Sequence, residues 1–211
     1  DLHLKDPWKE GVFNNLFFAS PAVADRTLRR QLASLYQRAC PALLYTAPHC
    51  ADSTKPASRH DKITIGVVLK LVAQDSLGQL LCNSIISNFS KEQFSLQVFF
   101  LSPTTVTIPD LIQQQADSCD FLPIDLELAR RHIAQRQLDI LFYPEIGSEP
   151  FLYFLAFARL APVQCAIRED LVTEGLPNFN YLIANPLQVA EESDQPLLST
   201  ATAKTRQDFG L

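Results

Sequence analysis

The chain of 211 residues contains no methionine, not even at position 1, so the expectation is a processed or excised piece of a longer protein. It also lacks any apolar run near the roughly 18 residues that a membrane-spanning helix needs, so no membrane span is expected. The opening Asp1-Leu2-His3 offers no basic region leading into an apolar core, so no signal peptide is read there. Basic residues are not in excess. With a net charge of -5 and a pI near 5.3, the basic patch that nucleic acid demands is missing. There is no CxxC pair. The five cysteines, Cys40, Cys50, Cys82, Cys119 and Cys165, are odd in number and widely spaced. That pattern reads as reduced, mostly buried thiols and a cytoplasmic location. His49-Cys50 is the only adjacent pair of zinc-type ligands, so no metal site is expected.

Signature loops are missing as well. Gly66 lies inside the first strand and Gly78 is twelve residues further on, which excludes a GxGxxG dinucleotide loop. No GxxxxGK[ST] cradles a phosphate, and no GxSxG presents a nucleophilic serine.

What is present is an ordinary globular composition, 47% hydrophobic and 19% charged, with apolar mass enough for a core. The stretch from Leu138 to Ile183 organises the rest. Ile140 to Tyr143 is a short apolar strand. Ser148 or Glu149 then caps a helix with Pro150 in its first turn, where proline is tolerated. That helix, Phe151 to Leu160, is apolar on nearly every face and is expected to be buried. Val163 to Ile167 is the next strand. Strand, helix and strand within about thirty residues make a βαβ unit and imply a parallel sheet.

Upstream, residues 1–47 read as a helical hairpin, with Val12, Phe13, Leu16 and Phe17 on one helix and Leu28, Leu32, Leu35 and Tyr36 facing inward on the other. It is either a brace on the next domain or the end of a helical-repeat array. Residues 48–61 read as a linker. From 62 to 184, strands alternate with helices: strands at 62–69, 94–101, 119–124 and 181–184, and helices from Ser76, at 108–116 and at 126–135. In the last of these, Asp125 is the cap and Arg130, Arg131 and His132 point mostly outward. The fold class is therefore α/β: a doubly wound, mostly parallel, Rossmann-like sheet preceded by a helical hairpin. Residues 185–211 read as an irregular tail.

In such sheets the chemistry sits on loops after the strands. After the first strand come Gln74, Asp75, Ser76 and Gly78; after the fourth, Glu145, Gly147 and Ser148; after the fifth, Arg168, Glu169, Asp170, Thr173, Glu174 and Gly175. Asp75, Glu145, Glu169 and Asp170 make a candidate acidic rim. Paired carboxylates there suit acid/base chemistry or a divalent cation. Equally, they suit helix N-termini facing water.

The phrases DILFYPEIG, FLYFLAFARLAPVQC and TEGLPNFNYLI, with KITIGVVL and SLGQLLCNSIISNFSKEQFSLQVFFLS, resemble the O-linked N-acetylglucosamine transferase and SPINDLY-like protein glycosyltransferases. Ala158 to Gln164 (ARLAPVQ), with Gly175 and Tyr181 at fitting distances, is the most specific part. The resemblance covers about 62–184. It implies the N-terminal Rossmann-like half of a two-domain, GT-B-type catalytic region, with the helical hairpin at a join to tetratricopeptide repeats. The implied enzyme moves a sugar from a UDP-sugar donor to a protein acceptor. The donor is held mostly by a C-terminal Rossmann-like domain absent from this chain, so no cofactor is expected here and the chain alone is expected to be inert. By the same resemblance, Gly78, Gly147, Arg168, Thr173 and Gly175 are candidate substrate-binding positions, and Asp75, Ser76, Glu145, Glu169 and Asp170 candidate cleft residues. The loops depart from the family. It carries His-Ser or His-Pro where Asp75-Ser76 stand, and of the residues after the fifth strand only Thr173 and Gly175 agree. A non-catalytic binding or assembly module is the alternative that these departures raise.

Overall fold

The computed structural model describes residues 2–12, 26–51, 61–70, 86–101, 107–146, 149–167, 173 and 175–183. The elements in order are α1 (Arg26–Ala39), β1 (Ile63–Leu69), β2 (Phe94–Phe100), α2 (Asp110–Gln115), β3 (Ser118–Phe121), α3 (Leu126–Ala134), β4 (Ile140–Tyr143), α4 (Pro150–Leu155), β5 (Val163–Ile167) and β6 (Tyr181–Ile183). The strands form one six-stranded sheet of order β3-β2-β1-β4-β5-β6, and every neighbouring pair is parallel. The expected doubly wound α/β class is the observed one.

Alternation along the strands splits the core in two. On one face, Phe99, Leu141 and Tyr143 join Leu138, Phe151, Phe154 and Phe157. On the other, Val98, Phe100 and Phe142 join Val67, Ile86 and Ile112. Gly66 is confined from three sides in the middle of β1. An added Cβ there would collide with Leu138 and press on Leu141 and Phe99.

The first face is deep because the N-terminal segment covers it. Leu4, Tyr36, Ala39 and Leu43 belong to the same buried cluster as α4. The Tyr36 ring meets the Phe154 ring edge-on at 5.0 Å, and its hydroxyl donates to the Val12 carbonyl. The Trp8 ring meets Phe151 at 5.6 Å. Residues 45–47 run beside the exit of α4, where Ala47 N–H donates to Arg159 O and Arg159 N–H to Tyr45 O, both at 2.8 Å.

Several expectations are corrected. The buried face of α1 is Ala33, Tyr36 and Ala39, whereas Leu28 and Leu35 are 39% and 40% exposed. On that face α1 comes so close to Gly175 that an added Cβ there would lie 2.9 Å from Ala33 Cβ. Of the other expected hairpin helix, 13–20 lies outside the described residues, and residues 7–11 form turns. Helix α4 ends at Leu155 rather than Leu160. Phe157 and Ala158 bond three residues back, and the chain then opens to pair with residues 45–47. Arg130 does not face water: it is 8% exposed, because residues 41–45 lie over α3. Of the thiols among the described residues, Cys40 is buried, and Cys50, Cys119 and Cys165 are half-buried and free, while Cys82 lies outside the described residues. No helix among the described residues is long and apolar enough to cross a membrane.

Candidate functional site

β1 is followed by a connection to β2 on one side, and β4 by one to β5 on the other, so strand order reverses between them. In a doubly wound sheet the carboxyl ends flanking that reversal open a crevice where ligands bind. Parallel pairing of Ile65 with Ile140 and Val67 with Phe142 sets those two ends side by side.

Three charged side chains occupy the crevice. Lys70 is the first residue beyond β1. Its backbone N–H donates to Glu145 Oε2 at 3.2 Å, and its ammonium pairs with Glu149. Glu145 is 7% exposed, in the turn after β4. Glu149 is the N-cap residue of α4, extended at φ -144°, and its side chain makes no capping hydrogen bond. Its carboxylate turns to Lys70 instead. The Glu149 side chain is 12% exposed and that of Lys70 35%, so the ion pair faces solvent chiefly through the ammonium. A cation held at this mouth by one carboxylate can meet an anionic or hydroxyl-bearing ligand without being unpaired in its absence.

Of the residues singled out by sequence, Glu145 lies in this cluster. Thr173 and Gly175 are not in it, and Gly175 lies against α1. Thr173 is buried, and its carbonyl accepts from Leu176 N–H at 3.1 Å. Gly175 has φ +85°, and an added Cβ would lie 2.9 Å from Arg30 Cα and from Ala33 Cβ. Its carbonyl accepts from Gln37 Nε2 at 3.2 Å. The glycine's freedom is thus spent on helix docking. Asp75, Ser76, Gly78, Gly147, Ser148, Arg168, Glu169 and Asp170 lie outside the described residues, as do Gln74 and Glu174. Lys70 was missed by sequence reasoning. Its signal was a lone cation ending an apolar strand.

The ARLAPVQ phrase has a structural task. Gln164 is fully buried. Its Oε1 accepts from Leu160 N–H at 2.6 Å and Ala161 N–H at 3.4 Å, and its Nε2 donates to Ala158 O at 3.1 Å. It therefore satisfies backbone groups that the end of α4 leaves open.

Other reactive groups are held inert. Burial pushes the Cys165 thiol up to about 12 and that of Cys50 to about 11, well above the usual range. Burial also drives the Tyr143 phenol far upward. His49 Nε2 lies 3.3 Å from Leu138 O. Among the described residues no group of three His, Cys, Asp or Glu could hold a metal ion.

The fold and crevice define a Rossmann-like α/β domain with a charged switch-point cleft. Neither the family models nor the curated protein sequences compared with the chain match it. Among solved structures, it is similar to a mutant O-GlcNAc transferase from Thermobaculum terrenum, with a TM-score of 0.53 and 18% identity over 76% of this chain. The likeness is one of fold, and the chain spans 30% of that structure's length.

Proposed function

We propose that this chain is the N-terminal, acceptor-side half of a protein glycosyltransferase of the O-GlcNAc transferase type, acting with a nucleotide-sugar donor. The observation that carries the reading is the parallel sheet of order β3-β2-β1-β4-β5-β6, which superposes on part of an O-GlcNAc transferase structure. The sequence phrases that resemble the same family fall on this sheet and on α4.

In this reading Lys70, Glu145 and Glu149 form one wall of the cleft, and a second Rossmann-like domain forms the other. Lys70 is the positioning group: its ammonium orients the acceptor segment or the donor's phosphates, and the two carboxylates fix where that charge sits. Most of the donor's contacts come from the second domain, so this half alone is inert.

The test is to incubate the intact protein with labelled UDP-sugars and follow transfer to protein and donor hydrolysis. Transfer that falls at least about tenfold in Lys70→Ala, while folding is kept, supports the reading. No turnover together with no donor binding would sink it. Calorimetry of residues 1–211 alone with millimolar UDP is expected to show no heat, and clear micromolar binding would put the donor site on this half instead.

A further inference from the structure

A second polar cavity, of about 470 Å³, lies between the N-terminal segment, the turn after α1 and the first turns of α3. That is within the size range of small-ligand sites. None of Lys70, Glu145 and Glu149 lines it.

Its central feature is Arg130. The side chain is 8% exposed, yet no carboxylate among the described residues pairs with it. Nε donates to Leu126 O at 2.8 Å, and one terminal nitrogen donates to Ala42 O. A guanidinium has five N–H donors in a planar fork, so these two bonds leave most of the fork unused. The terminal nitrogen without a protein partner is not among the buried polar atoms left unsatisfied, so its N–H groups open onto the cavity. Burial lowers the Arg130 pKa from the ordinary guanidinium value, and the negative charges around it, Asp6, Glu127 and Asp125 among them, pull the other way.

Carboxylates do line the same cavity, but each is engaged elsewhere. Asp125 pairs with Lys9 and caps α3 at Leu128 N–H. Glu127 pairs with Arg131 along the helix. Asp6 accepts from the backbone N–H groups of Trp8 and Lys9. Arg130 and the exposed Lys5 are the two cations of the lining without an ion pair among the described residues. An aromatic and an apolar side chain share the lining. The Arg130 guanidinium lies over the Tyr45 ring, its carbon 6.0 Å from the centroid, and Leu44, 43% exposed, borders the cavity.

We infer that this cavity binds a small organic anion, its phosphate or carboxylate head on the free side of Arg130 with help from Lys5, and its apolar or ring-shaped body against Tyr45 and Leu44. A planar fork suits both head groups bidentately, and the ring supplies a stacking surface.

The experiment is a calorimetric titration of the intact protein with phenyl phosphate, benzoate and inorganic phosphate. One ring-bearing probe is expected to bind about tenfold more tightly than inorganic phosphate, and which one binds identifies the head group. Arg130→Lys keeps the charge but loses the fork, and should weaken that binding about tenfold. Because Arg130 is buried, two variants at exposed positions stand beside it. Leu44→Glu and Lys5→Glu should each weaken binding about fivefold without moving the melting temperature of the ligand-free protein. Failure of both ring-bearing probes to bind at millimolar concentration overturns the inference. So does binding that neither Leu44→Glu nor Lys5→Glu alters.

Discussion

Two polar clusters meet the sheet and solve opposite problems. Gln164, in β5, is neutral and fully buried, and both ends of its amide are bonded to backbone beyond the end of α4. Lys70, Glu145 and Glu149, at the carboxyl edge, are charged and open to solvent through the ammonium. Removing a partner inside the first leaves backbone groups with no water to turn to. In the second, water reaches the ammonium, so removing its carboxylate partner leaves a cation that water can solvate. The first cluster is therefore stability, and the second is free to serve function at little cost to folding.

The comparison breaks most directly at Gln164. Gln164→Leu keeps the volume and strips the hydrogen bonds from Leu160, Ala161 and Ala158, so unfolding in urea should show a loss of about 3 kcal/mol or more. A loss below about 1 kcal/mol would mean that the loop after α4 finds other partners. Next in size is Gly175→Ala. It sets a side chain at φ +85° and 2.9 Å from the α1 backbone. The expected cost is about 2 kcal/mol, with faster amide exchange in α1 as the local sign. On the charged side, Glu149→Gln keeps the side chain's shape and leaves a solvated ammonium, so it should shift stability by less than about 1 kcal/mol while lowering sugar transfer by the intact protein. A large loss of stability with unchanged transfer would show that the edge cluster is structural too.

The same division explains what the sequence made readable. Strands were legible from short apolar runs: 140–143, and 163–167 with Gln164 as its one polar residue, fall where the pattern puts them. The cap at Asp125 was legible because it is local. Where side-chain placement depends on distant neighbours, pattern is silent. Lys70 and Glu149 are far apart in the chain and meet only because β1 and β4 pair. Helical periodicity placed Leu28 and Leu35 inward on α1, but the stripe docked against Gly175 is the one with the smaller Ala33. Arg130 reads as a solvent residue until the turn at 41–45 lies over it.

The smallest expected effect tests whether edge charges act through hydrogen bonding or through charge. Asp125 accepts from Leu128 N–H at 2.9 Å and pairs with Lys9. The Lys9 hydrogen bond, then the Leu128 N–H, hold its carboxyl below the ordinary value of 3.8. A carboxyl whose folded-state pKa is depressed stabilises the fold at pH values above its unfolded pKa, and that contribution is lost as pH falls through the folded value. Asparagine caps a helix about as well as aspartate but does not titrate in this range. Asp125→Asn should therefore leave stability within about 0.5 kcal/mol at neutral pH, where the exposed pair with Lys9 adds little. In denaturation series carried from neutral pH to below 3.8, the native protein should lose more stability than the variant. Parallel curves would show that the cap works through its hydrogen bond alone, and a variant much weaker at neutral pH would show that the ion pair at this edge matters more than its exposure implies.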